Sequence, residues 1–157
     1  MKRYRVELQV EREVPAGADK AIQAAAAAAL GDQGVEPPAE VTILLSDDEA
    51  LRRLNSQYRG LDRPTDVLSF AFGGAIPGQG EYLGDVAISV PAARRQAAEA
   101  GHSLTAELQL LTVHAVLHLL GWDDAEPGAR RRMCQAQAGI LAGMGVEVSQ
   151  PAEGPAE

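Results

Sequence analysis

Tyr4, Val6, Leu8 and Val10 alternate with Arg3, Arg5, Glu7 and Gln9. That period of two turns one side of an extended segment toward a core. Val14-Pro15-Ala16-Gly17 breaks the strand, and Ala18 to Leu30 is mostly alanine, the strongest helix former, before Gly31 supplies a stop. After a loop over Asp32 to Ala39, Val41 to Leu45 predicts a second strand. Ser46-Asp47-Asp48-Glu49 reads as a capping box opening a helix with Leu51, Leu54 and Tyr58 on one side, ending near Arg59. The turn-rich stretch Arg59 to Asp66 leads into a strand over Val67 to Phe72, and a glycine-rich loop follows from Gly73 to Gly80. Tyr82 to Val90 predicts another strand, and Pro91 starts a helix that Gly101 closes. Two further helices are expected, from about Leu104 to Leu120 and from about Pro127 to Leu141, ended by Gly121 and by Gly143 and Gly145. The order β, α, β, α, β, β, α, α, α describes an α+β fold: a single domain over 1–148 with a small mixed β-sheet packed with helices. Residues 149–157 are expected to form a frayed, disordered tail.

Composition agrees with one globular core. The chain has 157 residues, 46% hydrophobic and 23% charged. At that length a core closes without disulfides or metal, so a metal would serve chemistry rather than folding. Cys134 is the sole thiol, which excludes an intramolecular disulfide framework. The N-terminus MKRYRVELQV lacks a signal-peptide apolar run, and the longest apolar stretch, Ala24 to Leu30, falls far short of a membrane span. A cytoplasmic location is the expectation. Fourteen Lys and Arg against 22 Asp and Glu give a net charge of -8. That balance argues against bulk nucleic-acid binding but leaves room for a local basic site. Arg52, Arg53, Arg59 and Arg63, and Arg130 to Arg132, are the clusters from which one would be built. Arg is the residue that grips phosphate bidentately.

The chemistry concentrates in Leu110 to Leu120, which is apolar on nearly every side and so predicts a central, buried helix. Two histidines sit in it. His114 and His118 are four apart, on one helix face, where both imidazoles can converge on one cation. Gly121 lets the chain leave the helix, and Trp122-Asp123-Asp124 can return a carboxylate, giving H-x3-H-x5-D with Asp124 as third ligand. Two other readings stand beside this one: core histidines satisfied by hydrogen bonds, or a closed structural zinc site made of His114, His118, Asp124 and Cys134. Three ligands and an open position suit hydrolysis, through activated water and a polarised phosphoryl or carbonyl oxygen. A peptidase of the H-E-x-x-H kind needs Glu where Ala115 stands. Two His and a carboxylate also serve non-haem iron, but helix-borne histidines one turn apart favour zinc.

The chain resembles the YbeY-type endoribonucleases, bacterial ribosomal RNA maturation factors with a zinc-binding H-x3-H-x5-H signature. Three separated blocks carry the resemblance: His118-Leu119-Leu120-Gly121-Trp122-Asp123; Leu54-Asn55 to Tyr58-Arg59 with Pro64-Thr65-Asp66-Val67-Leu68-Ser69-Phe70; and Leu83-Gly84-Asp85. The resemblance implies a zinc-dependent endoribonuclease acting on single-stranded RNA, in rRNA maturation and ribosome quality control. It gives His114 and His118 catalytic roles as metal ligands and makes Arg59 the activity-linked arginine, holding the scissile phosphate or offsetting developing charge. Arg59 has an alternative as a surface ion pair with Asp62 or Asp66. Implied partners are an rRNA precursor, the small ribosomal subunit, a ribosomal protein and the GTPase Era. One departure stands out: Asp124 occupies the place of the family's third His. A carboxylate there lowers the site's positive charge and its Lewis acidity and shifts preference toward harder divalent ions. Asp123 has a supporting role by resemblance, Asp85 either orients a ligand or caps a turn, and Trp122 either stacks on a base or anchors the last helix. A ribosome-assembly binding module with a structural metal and little or no catalysis is the rival reading.

Overall fold

In a computed structural model of the chain, which describes residues 4–72, 75–76, 80–123 and 125–148, the alternating N-terminal segment forms β1 (Tyr4–Val10) and the alanine-rich segment forms α1 (Ala18–Asp32). β2 (Ala39–Ser46) follows, then α2 (Asp48–Arg59), β3 (Val67–Ala71), the two-residue β4 (Ala75–Ile76) and β5 (Gly80–Ser89). Three consecutive helices complete the chain: α3 (Val90–Ala100), α4 (Leu104–Leu119) and α5 (Pro127–Gly143). The expected α+β order is therefore present, with β4 as an addition inside what reads in sequence as a plain glycine-rich loop. The expected tail lies outside the described residues. Among the described residues, no helix is long and apolar enough to cross a membrane.

The sheet runs β1-β2-β5-β3, with β4 paired to the start of β5. β1, β2 and β5 are parallel, and β3 and β4 pair antiparallel to β5. Parallel neighbours need a crossover, and α1 supplies the one between β1 and β2. Its buried side is Ala18, Ile22, Ala25, Ala26, Ala29 and Leu30, a helical stripe of mostly small residues. α1 and α4 pack together on one face of the sheet, around Val41, Ile43, Val86 and Ile88. α2 covers part of the other face through a second, smaller core of Leu51, Leu68 and Ala87. Successive residues of β5 thus alternate between the α4 face and the α2 face. At the β1 edge, Tyr4, Val6 and Leu8 pack inward as expected, whereas Val10 ends the strand 53% exposed.

Helix starts are chemically explicit. The N-cap of α2 is Asp47, whose carboxylate accepts from the Ala50 amide at 2.9 Å; Ser46 instead donates to Glu11. The expected box is therefore shifted by one residue. That amide bond is the main reason the Asp47 carboxyl is held below its ordinary range, with the nearby Arg12 adding to it. Ser103 caps α4 by accepting from the Ala106 amide at 3.0 Å. Since α4 is the helix that carries the histidines, Ser103→Ala is expected to cost about 1 kcal/mol of stability, and Ser103→Gly only a few tenths. Chemical denaturation of the two variants beside the wild type measures the difference; equal midpoints for alanine and wild type would refute the capping role.

Candidate metal centre

α4 is apolar around nearly its whole circumference because other elements surround it: Leu108, Leu111, Val113, Ala115, Val116 and Leu117 are all buried. His114 and His118, with Leu119, are the half-buried positions of its last two turns. Their rings lie edge to face, centroids 4.6 Å apart and 73° between planes. Two imidazoles this close on one helix face have the spacing that two arms of a divalent-metal site require. His114 is also fixed from behind, its Nδ1 lying 2.5 Å from the Gln137 Oε1 of α5. A carboxamide oxygen only accepts, so this contact calls for a proton on Nδ1, and a neutral ring so protonated carries its lone pair on Nε2. That is the state a metal-ligating histidine adopts, and the donors present therefore fit a borderline ion such as zinc.

After α4 the chain turns sharply. Gly121, at φ 100°, occupies a backbone region that favours glycine, and the Trp122 amide donates back to the Leu117 carbonyl at 3.0 Å. Trp122 packs against the main core and donates from Nε1 to the Gln33 Oε1 at 2.8 Å, just past the end of α1. Its ring is an anchor between α4 and α1, not an open stacking surface. Asp123 accepts from the Ala125 amide at 3.0 Å. Asp124 itself, the expected third ligand, lies outside the described residues. Among the described residues no three His, Cys, Asp or Glu side chains cluster as a metal site, so Cys134 does not join the two histidines there.

Arg59 reaches the same region from the opposite face. It ends α2, and its Nη2 donates to the Ser69 carbonyl of β3 at 3.3 Å. The Ser69 hydroxyl in turn donates to the Ala115 carbonyl of α4 at 3.0 Å. One residue of β3 therefore ties the Arg59 guanidinium to the helical turn next to His114. The ion-pair alternative for Arg59 is not what forms: Arg52 takes both Glu49 and Asp62, while Asp66 accepts from Gln96 at 3.0 Å. Asn55 holds the following loop, donating to the Arg63 carbonyl at 3.0 Å. Tyr58, beside Arg59, is 62% exposed and stacks obliquely on Phe70 with centroids 5.3 Å apart.

Asp85 does not cap a turn. It sits within β5 in the same alternation as Ala87, on the α2 face, away from the histidines. Its carboxylate accepts from the Tyr82 hydroxyl, which also lies 2.8 Å from the Thr42 Oγ1. Burial, reinforced by that carboxylate, pushes the Tyr82 phenol up, so it stays a neutral donor. The neighbouring Gly84 lets β3 approach β5 closely, since a Cβ there would sit 2.2 Å from the Phe70 carbonyl oxygen.

The family model for Endoribonuclease YbeY matches residues 5–145, which include both histidines, Arg59 and Ser69. The chain belongs to the YbeY family. An Endoribonuclease YbeY of Moorella thermoacetica is 48% identical over 136 residues, covering 82% of this chain and 85% of the relative. The same-named protein of Desulforamulus reducens is 43% identical over 144 residues, 88% of this chain and 94% of its own. A Thermotoga maritima protein solved in solution has the same fold, with a TM-score of 0.55 at 21% identity over 96% of this chain and 99% of its own. YbeY membership thus covers all three blocks and the helix that carries both histidines.

Three groups have contacts that the sequence alone does not announce. Gln137 is an ordinary polar residue until α5 is placed against α4, and Ser69, though it lies in one of the three blocks, gains its partner only when β3 is placed against α4. His102 is the third: its Nε2 lies 2.6 Å from the Glu107 Oε1, with both side chains more than nine-tenths buried. Burial raises the Glu107 carboxyl even though the histidine bond opposes it.

Proposed function

We propose that this chain is a zinc-dependent endoribonuclease that hydrolyses phosphodiester bonds within single-stranded stretches of ribosomal RNA precursors. The observation that carries the reading is the pair of side-by-side imidazoles on α4, tied through Ser69 to the Arg59 guanidinium. The name Endoribonuclease borne by the YbeY relatives supplies the reaction class.

His114, His118 and Asp124 would hold the ion. When bound, zinc supplies Lewis acidity toward a phosphoryl oxygen and eases loss of a proton from the attacking oxygen. The protein's own groups do the rest. Arg59 donates to the non-bridging phosphate oxygens and offsets the charge that grows on them as the attacking oxygen adds to phosphorus. Its bond to the Ser69 carbonyl aims the guanidinium across β3, and the Ser69 bond to Ala115 keeps that aim fixed relative to the histidines. The exposed Tyr58 ring beside Arg59 offers a flat apolar face to an unpaired base. Asp124 in place of a third neutral ligand takes one unit of positive charge from the site, which favours harder divalent ions relative to an all-histidine site. The setting proposed for this activity is cytoplasmic rRNA maturation and ribosome quality control. Its partners there are the small ribosomal subunit, a ribosomal protein and the GTPase Era.

Arg59→Ala separates the arginine's contribution from that of the metal. Cleavage of an rRNA precursor is expected to fall by about 10²–10³-fold, the usual cost of removing one oxyanion donor, with zinc content unchanged. Arg59→Lys should recover only part of the loss, because an ammonium lacks the planar fork. Undiminished cleavage in Arg59→Ala would remove Arg59 from the mechanism.

A further inference from the structure

α5 buries Met133, Gln137, Ile140 and Leu141, the i, i+4, i+7 and i+8 positions of one stripe. Three are apolar. Gln137 is only 5% exposed, at a place where a leucine or methionine would satisfy packing. A carboxamide buried in an apolar stripe costs stability unless it is hydrogen-bonded, and the oxygen of this one lies 2.5 Å from the His114 Nδ1.

We infer that Gln137 is a positioning residue for the candidate metal centre: its carboxamide oxygen holds His114 as the Nδ1–H tautomer, so that Nε2 presents its lone pair to a divalent cation. The inference rests on the metal reading proposed above, but the tautomer itself is a property of the metal-free protein. Two physical consequences separate this role from simple packing. The first is orientation. The contact fixes which ring nitrogen is the donor before any ion arrives, and loss of such a partner typically lowers metal affinity about 10–100-fold. The second is charge. A glutamate would orient the ring equally well, but it would place a carboxylate behind the histidine in addition to the one the proposed ligand set draws from Asp124, further reducing the cation's Lewis acidity. Glutamine sets the tautomer while leaving that charge untouched.

The test uses Gln137→Met, which keeps an unbranched side chain of similar length but has no oxygen acceptor, and Gln137→Glu, which keeps the acceptor. Methionine in the buried stripe is near to volume-conserving, so the variant is expected to fold. The full-length metal-free proteins are examined by nitrogen-15 NMR of the imidazoles at about pH 8.5, two units above the ordinary imidazole pKa. Zinc affinity is measured separately by competition with a chromophoric chelator. The wild type is expected to show the His114 proton on Nδ1. Gln137→Met should lose that preference and bind zinc about 10–100-fold more weakly, and Gln137→Glu should keep the tautomer and bind at least as tightly as wild type. A wild-type proton on Nε2, or a methionine variant with unchanged tautomer and affinity, would overturn the inference. Should wild type take up no zinc, the metal reading fails by itself, and the tautomer comparison still decides whether Gln137 sets the ring. Should the methionine variant not fold, the glutamate variant decides, because a proton moved to Nε2 there would contradict acceptor control.

Discussion

His118→Ala is expected to abolish RNA cleavage, with a loss of about three orders of magnitude or more, while the protein stays folded. His118 is half-buried in the last full turn of α4, and alanine is favoured in that helix, so little packing is removed. What disappears is one of two imidazoles whose centroids stand 4.6 Å apart. The proposed three-ligand site reduced to two would bind its ion weakly, and metal assistance worth ~4 kcal/mol corresponds to a factor of ~10³ in rate. Metal content and cleavage should therefore fall together, with circular dichroism and the thermal midpoint little changed. Cleavage at the wild-type rate in a folded His118→Ala protein would show that the reaction does not use this pair.

Gly84→Ala should have the largest effect on stability, more than about 4 kcal/mol, out of a typical total of about 5–15 kcal/mol. Gly84 adopts φ 146°, a region L side chains rarely enter, and an added Cβ would meet the Phe70 carbonyl oxygen at 2.2 Å and the Ala71 Cα at 3.0 Å. Both contacts are backbone, so no side chain can swing aside. Relief requires β3 to move off β5, which breaks the pairing of Phe70 with Asp85 and of Ala71 with Gly84. On its other side the Cβ would meet the Leu119 Cδ2 at 3.0 Å, at the end of the helix that carries the histidines. The Arg59–Ser69–Ala115 connection runs through the same strand, so activity should be lost with the fold. Urea denaturation measures the change; a midpoint within error of wild type would refute this account of the β3–β5 approach.

The outline of the fold is legible in the sequence because local and global signals agree. The alternation in Tyr4 to Leu8, the alanine run of α1 and the Pro91-to-Gly101 helix each depend on neighbours in sequence, and each appears within a residue or two of its expected bounds. The histidine pair is legible for the same reason, since helical periodicity alone sets residues four apart on one face. Asp85 is not. Its block suggests a ligand-orienting or turn role, but strand alternation together with α2 packing on Leu51, Leu68 and Ala87 assigns it to the far face. The contacts of Gln137 and Ser69 are illegible for a different reason. They act across 23 and 46 residues of chain through single hydrogen bonds to α4, and no local pattern marks such a partner. The shift of the α2 cap from Ser46 to Asp47 is a smaller case of the same kind: Glu11, from the segment after β1, takes the Ser46 hydroxyl and leaves the amide to the aspartate.

The most direct measurement is elemental analysis of the wild-type protein purified without added metal, coupled to cleavage of an rRNA precursor before chelation, after chelation, and after zinc is restored. The expected result is about one zinc per chain, cleavage that disappears when the metal is stripped, and cleavage that returns with zinc. Protein that holds no divalent ion and cleaves RNA equally well with or without chelator would contradict a metal-dependent nuclease built on His114, His118 and Asp124.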